Sequence, residues 1–70
     1  MMYYIWYVEN GKSRVLTKFI KKHRYALKLK NAWSTNDRSW AKNYVKYCNE
    51  NFGSGYKILD QKSALKVLGH

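Results

Sequence analysis

The chain has 70 residues, too few for two domains, and its 14 Lys and Arg against four Asp and Glu give a net charge of +10. A domain of this size buries only about 60% of the surface of its unfolded chain, so we expect the core to depend on the 12 aromatic side chains or on a homodimer. Self-repulsion disfavours such a charge unless the partner is anionic, which points first to nucleic acid. A lysine-rich genomic bias is the alternative explanation.

Cysteine content and hydropathy suggest the compartment. Cys48 is the single cysteine, so no intramolecular disulfide can form, and we expect a cytoplasmic location. The longest apolar run, residues 1–8, is less than half of the roughly 18–20 residues that cross a bilayer, so we expect no membrane span.

The first element is a β-hairpin around Asn10-Gly11, the preferred pair for a two-residue type I′ turn because both positions need positive φ. With this loop, Glu9 pairs with Lys12. The register then continues outward through the pairs Val8–Ser13, Tyr7–Arg14, Trp6–Val15, Ile5–Leu16, Tyr4–Thr17 and Tyr3–Lys18.

Alternation sorts the hairpin side chains onto two faces. The uncharged face carries Met2, Tyr4, Trp6, Val8, Ser13, Val15, Thr17 and Phe19. The other face carries Tyr3, Ile5, Tyr7, Arg14, Leu16 and Lys18. We expect the uncharged face to be core and the other to be at least partly exposed and to meet the partner. The alternative is a helix covering the second face, with Arg14 and Lys18 reaching solvent at its rim.

Two helices are predicted next. From residue 22 to 33 the apolar side chains follow helical spacing, namely Tyr25, Ala26, Leu29, Ala32 and Trp33. The run Ser34 to Asp37 then predicts a capping box with Ser34 as the N-cap. The second helix should run to Phe52 and end at Gly53. Its broad apolar face holds Trp40, Ala41, Tyr44, Val45, Tyr47, Cys48 and Phe52.

The C-terminal residues predict a short strand and a last helix. Residues 56–60 form the strand, which can pair with either edge of the hairpin, and Asp60 caps a helix that ends at Gly69. The predicted fold is therefore α+β and a single domain, with a three-stranded antiparallel sheet packed against two to three helices in the order ββααβα.

Basic residues cluster between positions 12 and 30, where the chain has no acid. A continuous group of cations can contact several phosphates and release their counterions, and aromatic rings beside it can stack on bases. The predicted nucleic-acid-binding residues are Lys12, Arg14, Lys18, Lys21, Lys22, Arg24 and Lys28, with Tyr3 and Tyr7. A secondary basic row, Arg38, Lys42 and Lys46, recurs every four residues on the second helix; a solvated face is its simpler explanation.

Catalytic and metal signals are poor. His23, Cys48 and His70 have no spacing typical of a metal site. The four acids are assigned to the turn, the caps and a helix surface, and no glycine-rich phosphate loop precedes a helix. We therefore predict no enzymatic activity, no metal and no cofactor.

The hairpin and the segment after it resemble the N-terminal DNA-binding module of phage and transposon tyrosine integrases. The matching positions are Trp6-Tyr7-Val8, Asn10-Gly11-Lys12, Thr17-Lys18-Phe19 and Ala26-Leu27. In that family a short antiparallel sheet enters the DNA major groove, so the resemblance implies that Arg14 and Lys18 face DNA. The Thr and Glu usual between the Phe and the Ala are absent here, and the 70 residues contain no recombinase domain.

Two functions are favoured over a third, peripheral membrane binding, which would need the apolar helix faces that the core requires. The first is a small non-catalytic protein that binds nucleic acid, DNA in preference to RNA, through the phosphate backbone. The second is an inhibitor or adaptor of the kind found in phages and mobile elements, which binds an acidic surface of a partner protein through cations and aromatic anchors.

Overall fold

The computed structural model describes residues 1–18 and 25–69. In chain order these residues form β1 (Tyr3–Glu9), β2 (Lys12–Leu16), β3 (Tyr25–Ala26), a 3₁₀ helix (Leu29–Asn31), β4 (Ser34–Thr35), α1 (Arg38–Asn51), β5 (Lys57–Asp60) and α2 (Gln61–Leu68). The α+β class is confirmed. The described residues contain five antiparallel strands, so the prediction of three strands in the order ββααβα is wrong in detail.

The hairpin turn forms as predicted. Asn10 has φ 52° and Gly11 has φ 77°, the positive values that a type I′ loop requires. The register is confirmed for the four pairs from Glu9–Lys12 to Trp6–Val15.

Beyond Trp6–Val15, however, β1 and β2 diverge, and the chain around β4 lies between them. Tyr3 and Tyr4 pair with Thr35 and Ser34 instead of with Lys18 and Thr17. Thr17 forms a bridge with Ala32. Two of the three outer pairs predicted for the hairpin, Tyr4–Thr17 and Tyr3–Lys18, are therefore replaced by pairs with a third segment, and the sheet curls around it. The third, Ile5–Leu16, is not among the pairs between β1 and β2.

Residues 25–33 form no α-helix, which corrects the first predicted helix: they hold β3 and the short 3₁₀ helix. Residues 19–24 lie outside the described part. The backbone of Tyr25 and Ala26 pairs with the outer edge of β2. Side chains predicted to share one helix face go to opposite faces of the sheet: Ala26 and Ala32 enter one core, while Tyr25 and Trp33 pack against the other. Pairing with the open edge of β2 and filling two cores outweigh the helical spacing.

Helix α1 ends where predicted but begins later. Phe52 is its C-cap, and Gly53 follows with φ 130°. Its N-cap is Asp37, whose Oδ1 accepts hydrogen bonds from the backbone N–H groups of Ser39 (2.9 Å) and Trp40 (3.3 Å). The predicted cap, Ser34, belongs to β4 instead.

The C-terminal elements follow the prediction. Strand β5 pairs with β1 from Tyr3–Asp60 to Trp6–Lys57, which places it on the edge of β1 away from the hairpin. The Asp60 carboxylate caps α2 by accepting from the Ser63 N–H at 2.7 Å. Gly69 ends α2 in the left-handed conformation, with φ 80°.

The sheet has a core on each face. Helix α2 covers the first core, which consists of Tyr4, Val15, Ala26, Ala32 and Ala64. Helix α1 covers the second core, which consists of Ile5, Tyr7, Leu16, Cys48 and Tyr56. The second hairpin face was expected to be at least partly exposed, and only its ends are: Ile5 is 0% exposed and Leu16 is 4% exposed, whereas Lys18 is exposed. This is the alternative arrangement, in which a helix covers the face. On the face expected to be core, Val8 is 53% exposed, because it lies near the end of the hairpin.

Candidate nucleic-acid interface

The predicted hairpin cations differ in their surroundings. Lys12 is exposed next to the turn, opposite Glu9. Arg14 is partly buried, with its guanidinium carbon 3.8 Å from the centre of the Tyr25 ring, a cation–π contact at the edge of the second core. Lys18 is exposed, and its backbone N–H donates to the Asn31 carbonyl at 2.9 Å. Lys12 and Lys18 are therefore exposed side chains, whereas Arg14 packs against a ring.

The remaining members of this patch are only partly described. Lys28 is exposed in the connection between β3 and the 3₁₀ helix. Lys21, Lys22 and Arg24 lie outside the described residues, so whether they join Lys12, Lys18 and Lys28 on one surface stays a prediction.

The two tyrosines predicted to stack on bases are tied into the fold. Tyr7 is 4% exposed, and its ring stacks on Tyr56 with centroids 4.9 Å apart and planes 20° apart. Tyr3 is partly buried in the middle of the sheet, between Thr35 on one strand and Asp60 on another. The ring of Tyr7 is thus a core group in this structure, because α1 and Tyr56, the residue before β5, cover the face that the sequence suggested was at least partly exposed.

The secondary row is exposed as a whole. Arg38, Lys42 and Lys46 are all exposed on α1, four residues apart, so they follow one another along one side of the helix. Counting 100° per residue, the side that carries Trp40 and Tyr47 is reached from this row in two directions: past the buried Ala41 and Cys48 on the inner arc, and past the exposed Asn43 and Glu50 on the outer arc.

That other side of α1 carries Trp40, Tyr44 and Tyr47, whose rings continue to Trp33, before β4, and to Phe52, at the C-cap. We call these five rings the aromatic row. Tyr44 lies at its centre, with ring centroids 4.6 Å from Trp33, 6.4 Å from Trp40 and 5.7 Å from Tyr47, and with all three pairs within 21° of parallel. Phe52 meets Tyr47 edge-on at 5.8 Å. The row therefore orders several large side chains at the surface without a partner chain.

The outer rings of this row are exposed although they are aromatic. Trp40 is 54% exposed and Tyr47 is 49% exposed. The sequence suggested that they lay on the same apolar face as Cys48, and the structure divides that face. A clue was present in the sequence, because the apolar arc from Tyr47 through Trp40 to Val45 is wider than the stripe that one sheet face covers.

Beside these rings the surface forms an open cleft of about 410 Å³ lined by Trp40, Asn43, Tyr44 and Tyr47, which we call the α1 cleft. Partial burial raises the pKa of the Tyr44 phenol above its ordinary value, and the neighbouring Cys48 and Tyr47 add to the shift. The Tyr44 phenol is therefore neutral at physiological pH, and three aromatic side chains and one amide, Asn43, line the cleft.

Within residues 1–18 and 25–69, no group of three or more His, Cys, Asp and Glu side chains is placed to hold a metal ion. No described helix is both long and apolar enough to cross a membrane.

Comparison with known proteins gives no relative. No family model matches the chain, and neither a curated protein nor a solved structure matches it. The resemblance of the hairpin to the integrase module therefore stays a prediction, and the function must be argued from the surface itself.

Proposed function

We propose that this chain is a small non-catalytic nucleic-acid-binding protein that contacts the phosphate backbone through exposed lysines and arginines. The observation that carries the proposal is the placement of the charge. Ten of the 11 lysines and arginines in the described residues are exposed. Two of the four carboxylates, Asp37 and Asp60, accept hydrogen bonds at helix N-termini. The excess of positive charge thus faces solvent, where phosphates can reach it.

The exposed cations form two candidate surfaces. The first is the hairpin patch, Lys12, Lys18 and Lys28, to which the sequence adds Lys21, Lys22 and Arg24. The second is the secondary basic row of Arg38, Lys42 and Lys46, which we now call the α1 row. The helix sets the spacing of these three side chains. Each surface provides enough ammonium and guanidinium groups to contact several phosphates along one strand.

The test is fluorescence anisotropy of labelled duplex DNA, single-stranded DNA and RNA, titrated with the protein over a salt series. We expect micromolar or tighter binding near physiological salt and a log–log slope equivalent to about four to six phosphates. If binding to all three nucleic acids disappears by about 0.15 M salt, the proposal is wrong, because attraction to surface charge alone is screened at that salt concentration.

Three paired variants locate the surface. Lys12→Ala with Lys18→Ala tests the hairpin patch, and Lys42→Ala with Lys46→Ala tests the α1 row. Lys62→Ala with Lys66→Ala removes the same charge from α2, across the sheet, and serves as the matched control. The pair on the binding surface should lower the salt slope by about two, whereas removal of distant charge leaves it nearly unchanged.

The second candidate is an adaptor or inhibitor that binds an acidic protein surface, and the exposed Trp40 and Tyr47 favour it, since aromatic side chains are typical anchors of protein interfaces. It predicts weak, salt-labile binding to all three nucleic acids. The same anisotropy series therefore separates the two functions.

A further inference from the structure

From the α1 cleft we infer the class of nucleic acid that this protein binds. The cleft binds an unpaired base, so the ligand is a single strand. This inference rests on the proposed function. It assigns a role to a surface that the basic residues alone do not explain, because phosphate contacts require no tryptophan.

The cleft provides a stacking surface. Trp40 and Tyr47 leave about half of their surfaces to solvent, 54% and 49%. Trp40 lies within 15° of parallel to Tyr44, and Tyr44 within 6° of parallel to Tyr47, so the rings are already arranged as layers. A base added to such a row makes the offset contact that the rings make with one another. Because the rings are packed before binding, little side-chain entropy is lost when the base arrives.

Polar groups suited to a base and its phosphates flank the rings. Asn43 lines the cleft, and its amide can donate to and accept from a base edge. Viewed along the axis of α1 at 100° per residue, Asn43 lies 60° from Trp40, and Lys46 lies a further 60° round the helix in the same direction. Lys42 follows 40° after Lys46. The exposed Glu50 falls between Asn43 and Lys46 in angle but about 10 Å further along the helix axis than Asn43. At the level of the cleft the order across the outer surface of α1 is therefore ring, amide, ammonium, which matches the order base face, base edge, phosphate.

Charge decides between the possible occupants of this apolar surface. Two copies of a chain with net charge +10 repel each other, which disfavours a homodimer through α1. A single-stranded nucleic acid complements both features, since its phosphates are anionic and its base faces are free. In a duplex those faces are covered by neighbouring bases, so only single strands can use the rings.

The experiment measures binding of 12-nucleotide oligo(dT) and oligo(U), and of a mixed-sequence duplex, by anisotropy at several salt concentrations. Trp40→Ala should weaken binding of both single strands by about 5- to 150-fold, which corresponds to the loss of one stacked base. Duplex affinity and the salt slope should stay nearly unchanged, because no phosphate contact is removed. The two oligonucleotides show whether the strand is DNA or RNA.

Conservative variants separate stacking from simple apolar contact and from loss of structure. Trp40→Phe keeps an aromatic ring and should bind single strands within about threefold of the natural protein. Trp40→Leu keeps an apolar side chain without a ring and should lose nearly as much affinity as Trp40→Ala. Leu27→Ala, which removes a side chain that is 69% exposed outside α1, is the matched control and should bind as the natural protein does.

The outcomes distinguish this inference from the proposed function. If Trp40→Ala and Tyr47→Ala bind single strands as tightly as the natural protein while Lys42→Ala with Lys46→Ala weakens binding, the base-binding cleft is wrong and the phosphate surface remains. If the natural protein binds no nucleic acid at about 0.15 M salt, both are wrong. A dimer in sedimentation equilibrium that Trp40→Ala dissociates would overturn the inference in favour of a second copy.

Discussion

Asn49 binds both backbone polar groups of Tyr56. Its Oδ1 accepts from the Tyr56 N–H at 2.8 Å, and its Nδ2 donates to the Tyr56 carbonyl at 3.4 Å. These two hydrogen bonds join the last turn of α1 to the residue before β5, across a loop in which Gly53 and Gly55 have positive φ. They fix Tyr56 where its buried ring stacks on Tyr7.

Asn49→Ala should therefore lower the free energy of unfolding by about 1–3 kcal/mol, since the Tyr56 N–H loses its side-chain acceptor. Urea unfolding followed by circular dichroism measures the change. Asn51→Ala is the control: it removes one exposed hydrogen bond, from Nδ2 to the Tyr47 carbonyl, and should cost less than about 0.5 kcal/mol. Equal losses for the two variants would show that Asn49 does not hold the loop.

The second core predicts a large difference between two leucines. Leu16 is 4% exposed and Leu27 is 69% exposed. Leu16→Ala should cost about 2–5 kcal/mol through lost burial and the cavity that it leaves, whereas Leu27→Ala should stay within about 0.5 kcal/mol. Urea unfolding again gives both values. A small loss for Leu16→Ala would mean that the Ile5, Tyr7 and Leu16 face is open after all.

Local signals in the sequence predicted local structure well. The Asn10-Gly11 turn, the four pairs next to it, the end of α1 at Phe52 and the Asp60 cap all depend on backbone preferences of a few neighbouring residues. These features need no knowledge of the rest of the chain, and the structure has each of them.

The predictions that the structure corrects concern features that depend on contacts between distant segments of the chain. The sequence could not show that α1 covers the face of Ile5 and Leu16, nor that residues 25–26 pair with β2. For the same reason it left open whether Tyr7 meets the partner or lies under a helix, and it placed Trp40 on the apolar helix face with Cys48. The structure buries Tyr7 and leaves Trp40 54% exposed. Exposed cations were easier to predict, because lysine is rarely buried whatever the fold.

The cap of α1 gives a third test. Asp37→Ala removes the acceptor for two N–H groups and should lower the free energy of unfolding by about 1 kcal/mol. Asp37→Asn should lower the free energy of unfolding by only a few tenths of about 1 kcal/mol, since asparagine caps a helix about as well as aspartate does. Thermal or urea unfolding measures both. Ser34→Ala is the control, and a larger effect at Ser34 than at Asp37 would restore the cap that the sequence suggested.

Acid should weaken the fold partly through Asp60. The hydrogen bonds from Ser63, from its backbone first and its side chain second, lower the pKa of the Asp60 carboxyl. The folded state then binds this proton less readily than the unfolded chain does, so stability rises with pH. The contribution is fully present above the unfolded value of about 3.9 and disappears as pH falls through the lower folded pKa. Asp60→Asn should show a shallower loss of melting temperature between neutral pH and about pH 2, whereas a slope equal to that of the natural protein would contradict this assignment.

The thiol of Cys48 reports the stability of the second core. Cys48 lies on the buried side of α1 and is 0% exposed, so a thiol reagent such as dithionitrobenzoate reaches it only when the chain opens. When opening and closing are fast relative to labelling, the rate follows the equilibrium population of the open form. Leu16→Ala should then speed labelling by about 30-fold or more, the factor that corresponds to a loss of at least 2 kcal/mol. Leu27→Ala should leave the rate near that of the natural protein. Labelling of the natural protein as fast as in 8 M urea would show that Cys48 is open to solvent and that α1 does not cover this face of the sheet.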